Sequence, residues 1–291
     1  MIAVDGCGSD APVAAARTAS DALAVVEQAR RRRPAAAVAI HLANRQGLGA
    51  ARVRHLCEVG RPGQTLVSSA AAAALGDTTE LHDLGVHRLR DLLPPERVFA
   101  LGEPGEAPLR SLDATPNNLP TYLTSFVGRQ AELAELLGQL SHARLLTIIG
   151  PGGSGKTRLA ARAAAREADR HRDGVWWVEL GELADPGEVA RAVAAALGVL
   201  VDPAHGTVAL LRAQLAQRRV LLCLDNCEHV LGAVAEVAGA ILTGCPDVVM
   251  LATSREPLGH TGELVWGLPP LERADARALF VERAAQVQPG L

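Results

Sequence analysis

Lysine, cysteine and aromatic residues are all scarce in this sequence of 291 residues. Lysine occurs once, at Lys156, and every other basic residue except histidine is arginine. Aromatic residues make up only 2% of a chain that is 48% hydrophobic, so we expect cores of leucine, valine and alanine. The five cysteines form no CxxC pair and no metal-ligand spacing, which argues against a disulfide framework and favours a reducing cytoplasm.

Long apolar runs and an excess of positive charge are also missing. No uninterrupted apolar run reaches the roughly 18 residues of a membrane-spanning helix, and the N-terminal residues lack the pattern of a signal peptide. Lysine and arginine total 29 against 32 acidic residues, a net charge of −3, so a broad basic surface for nucleic acid is not expected. We therefore expect a cytoplasmic protein with no membrane contact and no direct DNA-binding element.

The distribution of proline marks a boundary within the chain. Residues 102–120 hold four prolines and follow neither the period of a helix nor that of a strand, which is typical of an exposed interdomain linker. We predict a domain over residues 1–101, a linker over 102–122 and a second domain over 123–291. At roughly 100–200 residues per domain, the length of the chain agrees with two domains.

Apolar runs alternate with helix-forming stretches in both predicted domains. In the first, the patterns predict helices over residues 11–32, 48–58 and 70–75, and strands over 37–41, 64–68, 80–83 and 97–101. In the second, they predict helices over 129–140, 156–169, 186–197, 207–216, 228–243 and 274–287, and strands over 145–149, 175–180, 219–225, 248–253 and 264–266. Continuous apolar strands separated by helices indicate an α/β fold with a parallel sheet covered on both faces, preceded by a smaller α+β domain.

One glycine-rich segment carries a phosphate-binding motif. Residues 150–157 read GPGGSGKT, which fits G-x-x-x-x-G-K-[ST], and they follow a predicted strand and open a predicted helix. Glycines allow backbone N–H groups to surround phosphate oxygens, and the helix N-terminus adds the positive end of its dipole. Lys156 is expected to reach the β- and γ-phosphates, and the Thr157 hydroxyl to hold Mg²⁺. The predicted nucleotide-binding residues of this segment are Gly150, Gly152, Gly153, Ser154, Gly155, Lys156, Thr157 and Arg158.

Three further residues complete the predicted catalytic set with Lys156. Asp225 ends an apolar strand, and a P-loop needs an acid at the end of a neighbouring strand to complete the magnesium site with Thr157. Glu228 either orients the attacking water or is a helix N-terminal residue whose negative charge interacts favourably with the positive end of the helix dipole. Arg255 follows another predicted strand, and ligands in such sheets lie at the carboxyl ends of the strands, so it is predicted to meet the γ-phosphate.

These motifs occur together with others in a specific order. The stretches are 125–129 (SFVGR), 150–157, 222–229 (LCLDNCEH), 252–258 (ATSREPL) and 266–271 (WGLPPL). With them, residues 125–291 resemble the nucleotide-binding domain of STAND-class P-loop ATPases, relatives of NB-ARC domains. More narrowly, they resemble the ATPase modules of large actinobacterial LuxR-type and SARP-type transcriptional regulators.

This resemblance implies a ligand and a mode of action. It implies that ATP or ADP binds with Mg²⁺, that Val127 and Arg129 lie beside the adenine, and that Arg255 acts as the sensor arginine. It also implies that the two nucleotides set alternative domain arrangements, so that the module works as a slow switch more than as a metabolic enzyme.

A second, partial resemblance concerns the first predicted domain. The stretches that carry it are 37–41 (AVAIH), 63–68 (GQTLVS), 84–92 (LGVHRLRDL) and 96–99 (ERVF). They resemble the C-terminal half of a class III nucleotide cyclase domain, in which the transition-state asparagine would fall at Ala51 and the arginine at His55. Alanine cannot hydrogen-bond a transition state, and neutral histidine is a poor replacement for a fixed guanidinium. We therefore expect a degenerate, truncated cyclase-like domain without cyclase activity.

The sequence leaves three functions open. The first is an ATP- and ADP-binding signalling module with slow or no hydrolysis and with a protein partner or self-association. The second is an active P-loop ATPase in which Glu228 assists turnover. The third is an interaction scaffold or gene remnant in which neither domain handles nucleotide. We take the first as the main hypothesis, because the motif is complete while Asn226 follows Asp225 at a position where many ATPases carry a second acid.

Overall fold

The computed structural model describes residues 2–6, 14–16, 18–33, 36–42, 48–76, 79–105, 107–201 and 206–287. The chain forms two compact units, residues 1–114 with 121–123 and residues 115–120 with 124–291. The segment predicted as a linker, 102–122, is therefore divided between the units. Leu109, Leu112 and Leu119 in it are buried, since apolar side chains between the prolines pack into cores instead of facing solvent. No helix in the described ranges is long and apolar enough to cross a membrane.

The described strands of the first unit form one mixed sheet. Its elements are β1 (Ile2–Gly6), β2 (Ala14–Ala16), α1 (Ala19–Arg32), β3 (Val38–Leu42), α2 (Leu48–Val59), β4 (Thr65–Ser68), α3 (Ser69–Leu75), β5 (Leu81–His87) and β6 (Glu96–Leu101). The strand order is β2-β1-β3-β4-β6-β5, in which β3 and β4 are parallel and the other neighbours antiparallel. Val38 and Ile40 belong to one core cluster and Ala39 to another, so apolar side chains are buried on both faces of β3.

The predicted helix over residues 11–32 is wrong at its start. Residues 14–16 form β2, which pairs with the unpredicted strand β1, and the helix begins only at Ala19. Thr18 caps it, because its hydroxyl accepts a hydrogen bond from the Asp21 N–H while the Asp21 carboxylate accepts one from the Thr18 N–H. Alanine is a strong helix former, so strand pairing overrides local preference here. Residues 11–13 and 17 lie outside the described residues.

The second unit contains a parallel sheet with helices between its strands. Its elements are α4 (Gln130–Leu140), β7 (Leu145–Ile149), α5 (Lys156–Glu167), β8 (Val175–Glu179), α6 (Val189–Ala196), α7 (Thr207–Leu215), β9 (Leu221–Asp225), α8 (Leu231–Gly244), β10 (Val249–Ser254), β11 (Leu264–Gly267) and α9 (Arg273–Val287). The strand order is β11-β7-β10-β9-β8, with every described pair parallel, which confirms the predicted α/β fold. Two predicted helices begin later than expected, because Pro186–Glu188 and Cys227–His229 are 3₁₀ turns.

This sheet brings the predicted site residues to one edge. β7 ends at Ile149, directly before the glycine-rich loop, and β9 ends at Asp225. The carboxyl ends of parallel strands meet at the same edge of a sheet, where ligands of such folds bind. However, β10 lies between β7 and β9, so the strand that carries Asp225 is one strand removed from the P-loop strand. This corrects the expectation that the two strands are neighbours.

Candidate nucleotide-binding site

The loop between β7 and α5 turns at two glycines with left-handed backbone. Gly153 has φ +74° and Gly155 has φ +94°, a region that favours glycine. A Cβ atom on either would meet no other atom within 4 Å, so open space lies on that side of the loop. The Ser154 hydroxyl oxygen is buried and has no hydrogen-bond partner among the described residues. Because loops of this kind at a helix start bind anions through their N–H groups, the segment fits a phosphate.

Lys156 is folded over this loop at the first position of α5, with only 6% of the residue exposed. Its Nζ donates hydrogen bonds to the carbonyl oxygens of Gly150, at 2.9 Å, and Pro151, at 3.0 Å. An ammonium group has three N–H donors, so one donor remains for a ligand oxygen. The lone lysine of the chain therefore lies at the loop, as the motif predicts.

Hydroxyl groups from two other segments hold Asp225. Thr157 donates a hydrogen bond to Asp225 Oδ1 at 3.0 Å, and Thr253 near the end of β10 donates to the same oxygen. Burial raises the pKa of the Asp225 carboxyl, and the negative charges of Glu179 and Glu228 add to this, whereas the two hydrogen bonds oppose it. Carboxylate and hydroxyl oxygens are hard ligands that suit Mg²⁺. The structure thus brings together the two residues predicted as magnesium ligands.

Glu228 and Arg255 contact each other beside the loop. Arg255 Nε lies 3.1 Å from Glu228 Oε1, while Glu228 Oε2 is buried with no hydrogen-bond partner in the described part of the chain. The Arg255 side chain is 61% exposed. Its Nη2 lies 3.7 Å from the position that a Cβ atom on Gly152 would occupy. The predicted sensor arginine is therefore beside the P-loop and paired with the predicted water-orienting acid.

A cavity of about 440 Å³ adjoins the loop. Its lining residues are Ser125, Phe126, Val127, Arg129, Gly153, Ser154, Gly155, Arg158, Pro270, Leu271, Leu279 and Arg283. The lining combines apolar side chains with arginines and with the backbone of the glycine-rich loop. It includes Val127 and Arg129, both predicted to lie beside a base.

Arg129 connects three parts of the second unit. Its guanidinium donates to the Glu132 carboxylate at 2.9 Å, to the Pro269 carbonyl at 2.6 Å and to the Ser154 carbonyl of the P-loop at 3.2 Å. Its backbone is left-handed, with φ +63°, which is uncommon for a residue other than glycine. Arg129 thus lines the cavity, and its hydrogen bonds link the P-loop to the segment that precedes α9.

Arg158 and α9 both hold the segment that precedes α4. Arg158 donates to the Thr124 hydroxyl at 2.9 Å and to the carbonyl oxygens of Thr124, at 2.7 Å, and Ser125, at 3.0 Å. Arg283 of α9 donates to the same Ser125 carbonyl at 3.1 Å, and the Ser125 hydroxyl donates to Glu282. Arg158, which was predicted to bind nucleotide, therefore positions a wall of the cavity through these contacts.

Some residues of the site were not found from the sequence. Thr253 lies two residues before Arg255, within the segment 252–258, but its contact with Asp225 depends on the insertion of β10 between β7 and β9. Leu279 and Arg283 line the cavity from α9, more than a hundred residues along the chain from the P-loop. No local pattern signals such a contact, because it arises only when the chain folds back.

Residues 139–251 match the family model of the AAA domain. This part of the chain is similar to AAA-type P-loop ATPase domains. A Mycobacterium tuberculosis protein of uncharacterised function is 42% identical over 168 residues, which cover 57% of this chain and 43% of that protein. A putative HTH-type transcriptional regulator of the same species is 44% identical over 152 residues, which cover 52% of this chain and 17% of the regulator. The regulatory protein AfsR of Streptomyces griseus is 32% identical over 206 residues, covering 64% and 21% respectively.

The chain therefore spans less than half the length of each of these relatives, and the AAA-type domain occurs within regulator-type proteins. Among solved structures, a STAND protein with a tetratricopeptide repeat sensor from Pyrococcus horikoshii is 17% identical with a TM-score of 0.38. That similarity covers 65% of this chain and 28% of the other.

Proposed function

We propose that the AAA-type domain binds ATP and ADP with Mg²⁺ and acts as a slow nucleotide-dependent switch within a regulator-type protein. The observation that carries the proposal is the hydrogen bond between Thr157 and Asp225, 3.0 Å long, beside a complete P-loop. A hydroxyl and a carboxylate, both suitable ligands for Mg²⁺, lie 68 residues apart in the sequence. They meet at the loop that fits a phosphate.

Each loop residue has a distinct role in this proposal. The backbone around Gly153 and Gly155 holds phosphate oxygens, and the remaining donor of Lys156 reaches the β- and γ-phosphates. Thr157 and Asp225 hold Mg²⁺, which when bound supplies positive charge against the phosphates. The cavity lined by Val127 takes the adenine, and Arg129 keeps its wall in place.

Slow turnover follows from the surroundings of Asp225. Asn226, the next residue, cannot accept a proton from an attacking water as a carboxylate could. Glu228 is the nearest candidate for that task, but one of its oxygens contacts Arg255. In the proposed switch Arg255 contacts the γ-phosphate. ATP therefore draws Arg255 away from Glu228, whereas ADP leaves the two residues in contact.

An active ATPase remains the alternative, and one observation favours it. Glu228 Oε2 is buried with no hydrogen-bond partner in the described residues, so it is free to accept a hydrogen bond from water. A Glu228→Gln variant separates the two functions. A loss of steady-state hydrolysis of tenfold or more supports the ATPase, whereas an unchanged slow rate supports the switch.

The first unit is proposed to be cyclase-like and without cyclase activity. Its mixed sheet of alternating strands and helices supports the resemblance, and α2 includes both positions where the cyclase residues would fall, Ala51 and His55. His55 Nδ1 lies 2.9 Å from a carboxylate oxygen of Glu58, so the imidazole is already engaged within its own helix. Incubation of the purified protein with ATP or GTP and Mn²⁺ is expected to give no cyclic nucleotide. Its formation would contradict the proposal.

The partners of the switch are proposed from its relatives. Because modules of this kind occur in regulator-type proteins, a protein partner or a second copy of the chain is expected to read the nucleotide state in the cytoplasm. DNA contact is assigned to other parts of such regulators. Sedimentation of the ATP- and ADP-loaded protein tests self-association directly.

The first experiment is to identify the nucleotide that the purified protein carries. One sample is denatured, the precipitated protein is removed, and the supernatant is resolved by ion-exchange chromatography. A second, native sample is freed of nucleotide and then mixed with Mg²⁺-ATP. Stoichiometric ADP or ATP, or tight uptake of Mg²⁺-ATP, supports the switch. A chain that carries no nucleotide and takes up none contradicts it and favours an inert interaction scaffold.

A further inference from the structure

We propose that Thr253 is a positioning residue, which holds the Asp225 carboxylate so that its second oxygen, Oδ2, is available to Mg²⁺. This inference rests on the nucleotide site proposed above. Thr253 lies on β10 and is 1% exposed, so its hydroxyl must find partners within the protein. It has two, and both belong to the end of β9.

The first partner is Asp225 itself. The Thr253 hydroxyl donates to Asp225 Oδ1, and the Thr157 hydroxyl donates to the same atom at 3.0 Å. In the described residues, the hydrogen bonds to this carboxylate thus go to Oδ1, and Oδ2 is left as the oxygen for a metal ion. The two hydroxyl groups come from different segments of the chain, and together they restrain the rotation of the carboxylate.

The second partner is the backbone that follows. The Asn226 N–H donates to Thr253 Oγ1 at 3.0 Å, and Asn226 has left-handed backbone with φ +60°. A single hydroxyl therefore fixes both the Asp225 side chain and the turn after it. Without this acceptor a part-buried N–H group would lose this partner, at a turn whose left-handed backbone asparagine adopts more readily than most residues.

The position of β10 makes Thr253 a rigid support. Ala252 pairs with β9, and Thr253 and Ser254 pair with β7, so backbone hydrogen bonds hold the strand on both sides. A β-branched side chain on a strand has few χ1 rotamers. Mg²⁺ requires near-octahedral geometry at about 2.0–2.1 Å, so a small rotation of the Asp225 carboxylate weakens its binding.

The test compares two substitutions at this position. Thr253→Val keeps the shape and removes the hydroxyl, whereas Thr253→Ser keeps the hydroxyl. Binding of a fluorescent ATP analogue is measured in EDTA and across a Mg²⁺ titration, and thermal melting checks that each variant is folded. We expect Thr253→Val to need at least roughly fivefold more Mg²⁺ for half-maximal enhancement of analogue binding. Its affinity for the analogue in EDTA should equal that of the wild-type protein. Thr253→Ser is expected to behave as the wild-type protein does.

Asp225→Asn serves as the positive control, because it removes the charge of the proposed ligand. If Thr253→Val keeps the wild-type Mg²⁺ dependence while Asp225→Asn loses it, the inference is overturned and the nucleotide site stands. A wild-type protein that binds no analogue, with or without Mg²⁺, overturns the proposed function as well. Should Thr253→Val fail to fold, Thr253→Ala decides the matter by the same titration.

Discussion

Glu228 and Arg255 form an ion pair whose closest atoms, Oε1 and Nε, lie 3.1 Å apart at the edge of the P-loop. One of these residues is the candidate for orienting water and the other for sensing the γ-phosphate. Each side chain therefore occupies the other, and in the proposed complex the γ-phosphate competes with Glu228 for Arg255. The ion pair opposes binding of the γ-phosphate only weakly. Most of the Arg255 side chain is exposed, and such pairs contribute about 0–1 kcal/mol.

Glu228→Gln is expected to tighten binding of ATP relative to ADP by up to about fivefold, as it releases Arg255 for the phosphate. Isothermal titration of both nucleotides measures the ratio. Arg255→Gln is the matched control and is expected to lower the ratio. Weaker binding of ATP by Glu228→Gln, with ADP unchanged, would contradict the proposed competition.

Lys156→Ala is expected to lower the affinity for both nucleotides roughly ten- to a hundredfold. A charge-assisted hydrogen bond contributes about 1.5–3 kcal/mol, and the ammonium has one donor left for a phosphate oxygen in the proposed complex. Equilibrium binding of a fluorescent analogue measures the loss. Arg218→Ala, which removes a partly exposed positive charge before β9, is the control for net charge. Unchanged affinity in Lys156→Ala would rule out the site.

Gly128→Ala is expected to destabilise the second unit by about 1–3 kcal/mol. Gly128 has φ +68°, and a Cβ atom there would clash with the Asp275 side chain on α9. The left-handed backbone alone costs a residue with a side chain about 1–2 kcal/mol. Chemical denaturation followed by circular dichroism measures the difference.

Gly138→Ala is the matched control for that change. Gly138 lies within α4, and a Cβ atom there would meet nothing within 4 Å, so alanine is expected to stabilise the helix by about 0.5–1 kcal/mol. Opposite signs for the two substitutions support the strained environment assigned to Gly128, its left-handed backbone together with its close approach to α9. Equal stability of Gly128→Ala and wild type would refute it.

Stability of the second unit is expected to fall as the pH is lowered from 7 to 5. Burial, together with the positive charges of Arg219 and Arg170, lowers the pKa of His171 to about 4. Below its ordinary value of about 6.5 the unfolded chain binds a proton that the folded protein excludes, so stability present at pH 7 is lost towards pH 4. The expected loss from this group is about 2 kcal/mol at pH 5.

Denaturant melts of wild type and His171→Gln at both pH values test this expectation. The variant is less stable at pH 7 if packing is lost, but its dependence on pH should be flatter. His142→Gln, at an exposed position after α4, is the control. A pH dependence of His171→Gln as steep as that of the wild type would show that another group is responsible.

The sequence by itself determined the phosphate motif, the α/β class of the second unit and the positions of Lys156 and Asp225. These features are local, since a motif and an apolar period are written in consecutive residues. It also predicted most strands, but it missed β1 and read β2 as helix. Their pairing joins residues that are apart in the sequence, and alanine alone does not reveal it.

Only the tertiary structure decided which residues surround the motif. The order of the sheet inserts β10 between β7 and β9, and this places Thr253 on the Asp225 carboxylate. The return of α9 brings Leu279 and Arg283 to the cavity beside the P-loop. Such contacts depend on strand order and on helix docking, which are settled by the packing of the whole unit. No run of neighbouring residues encodes them.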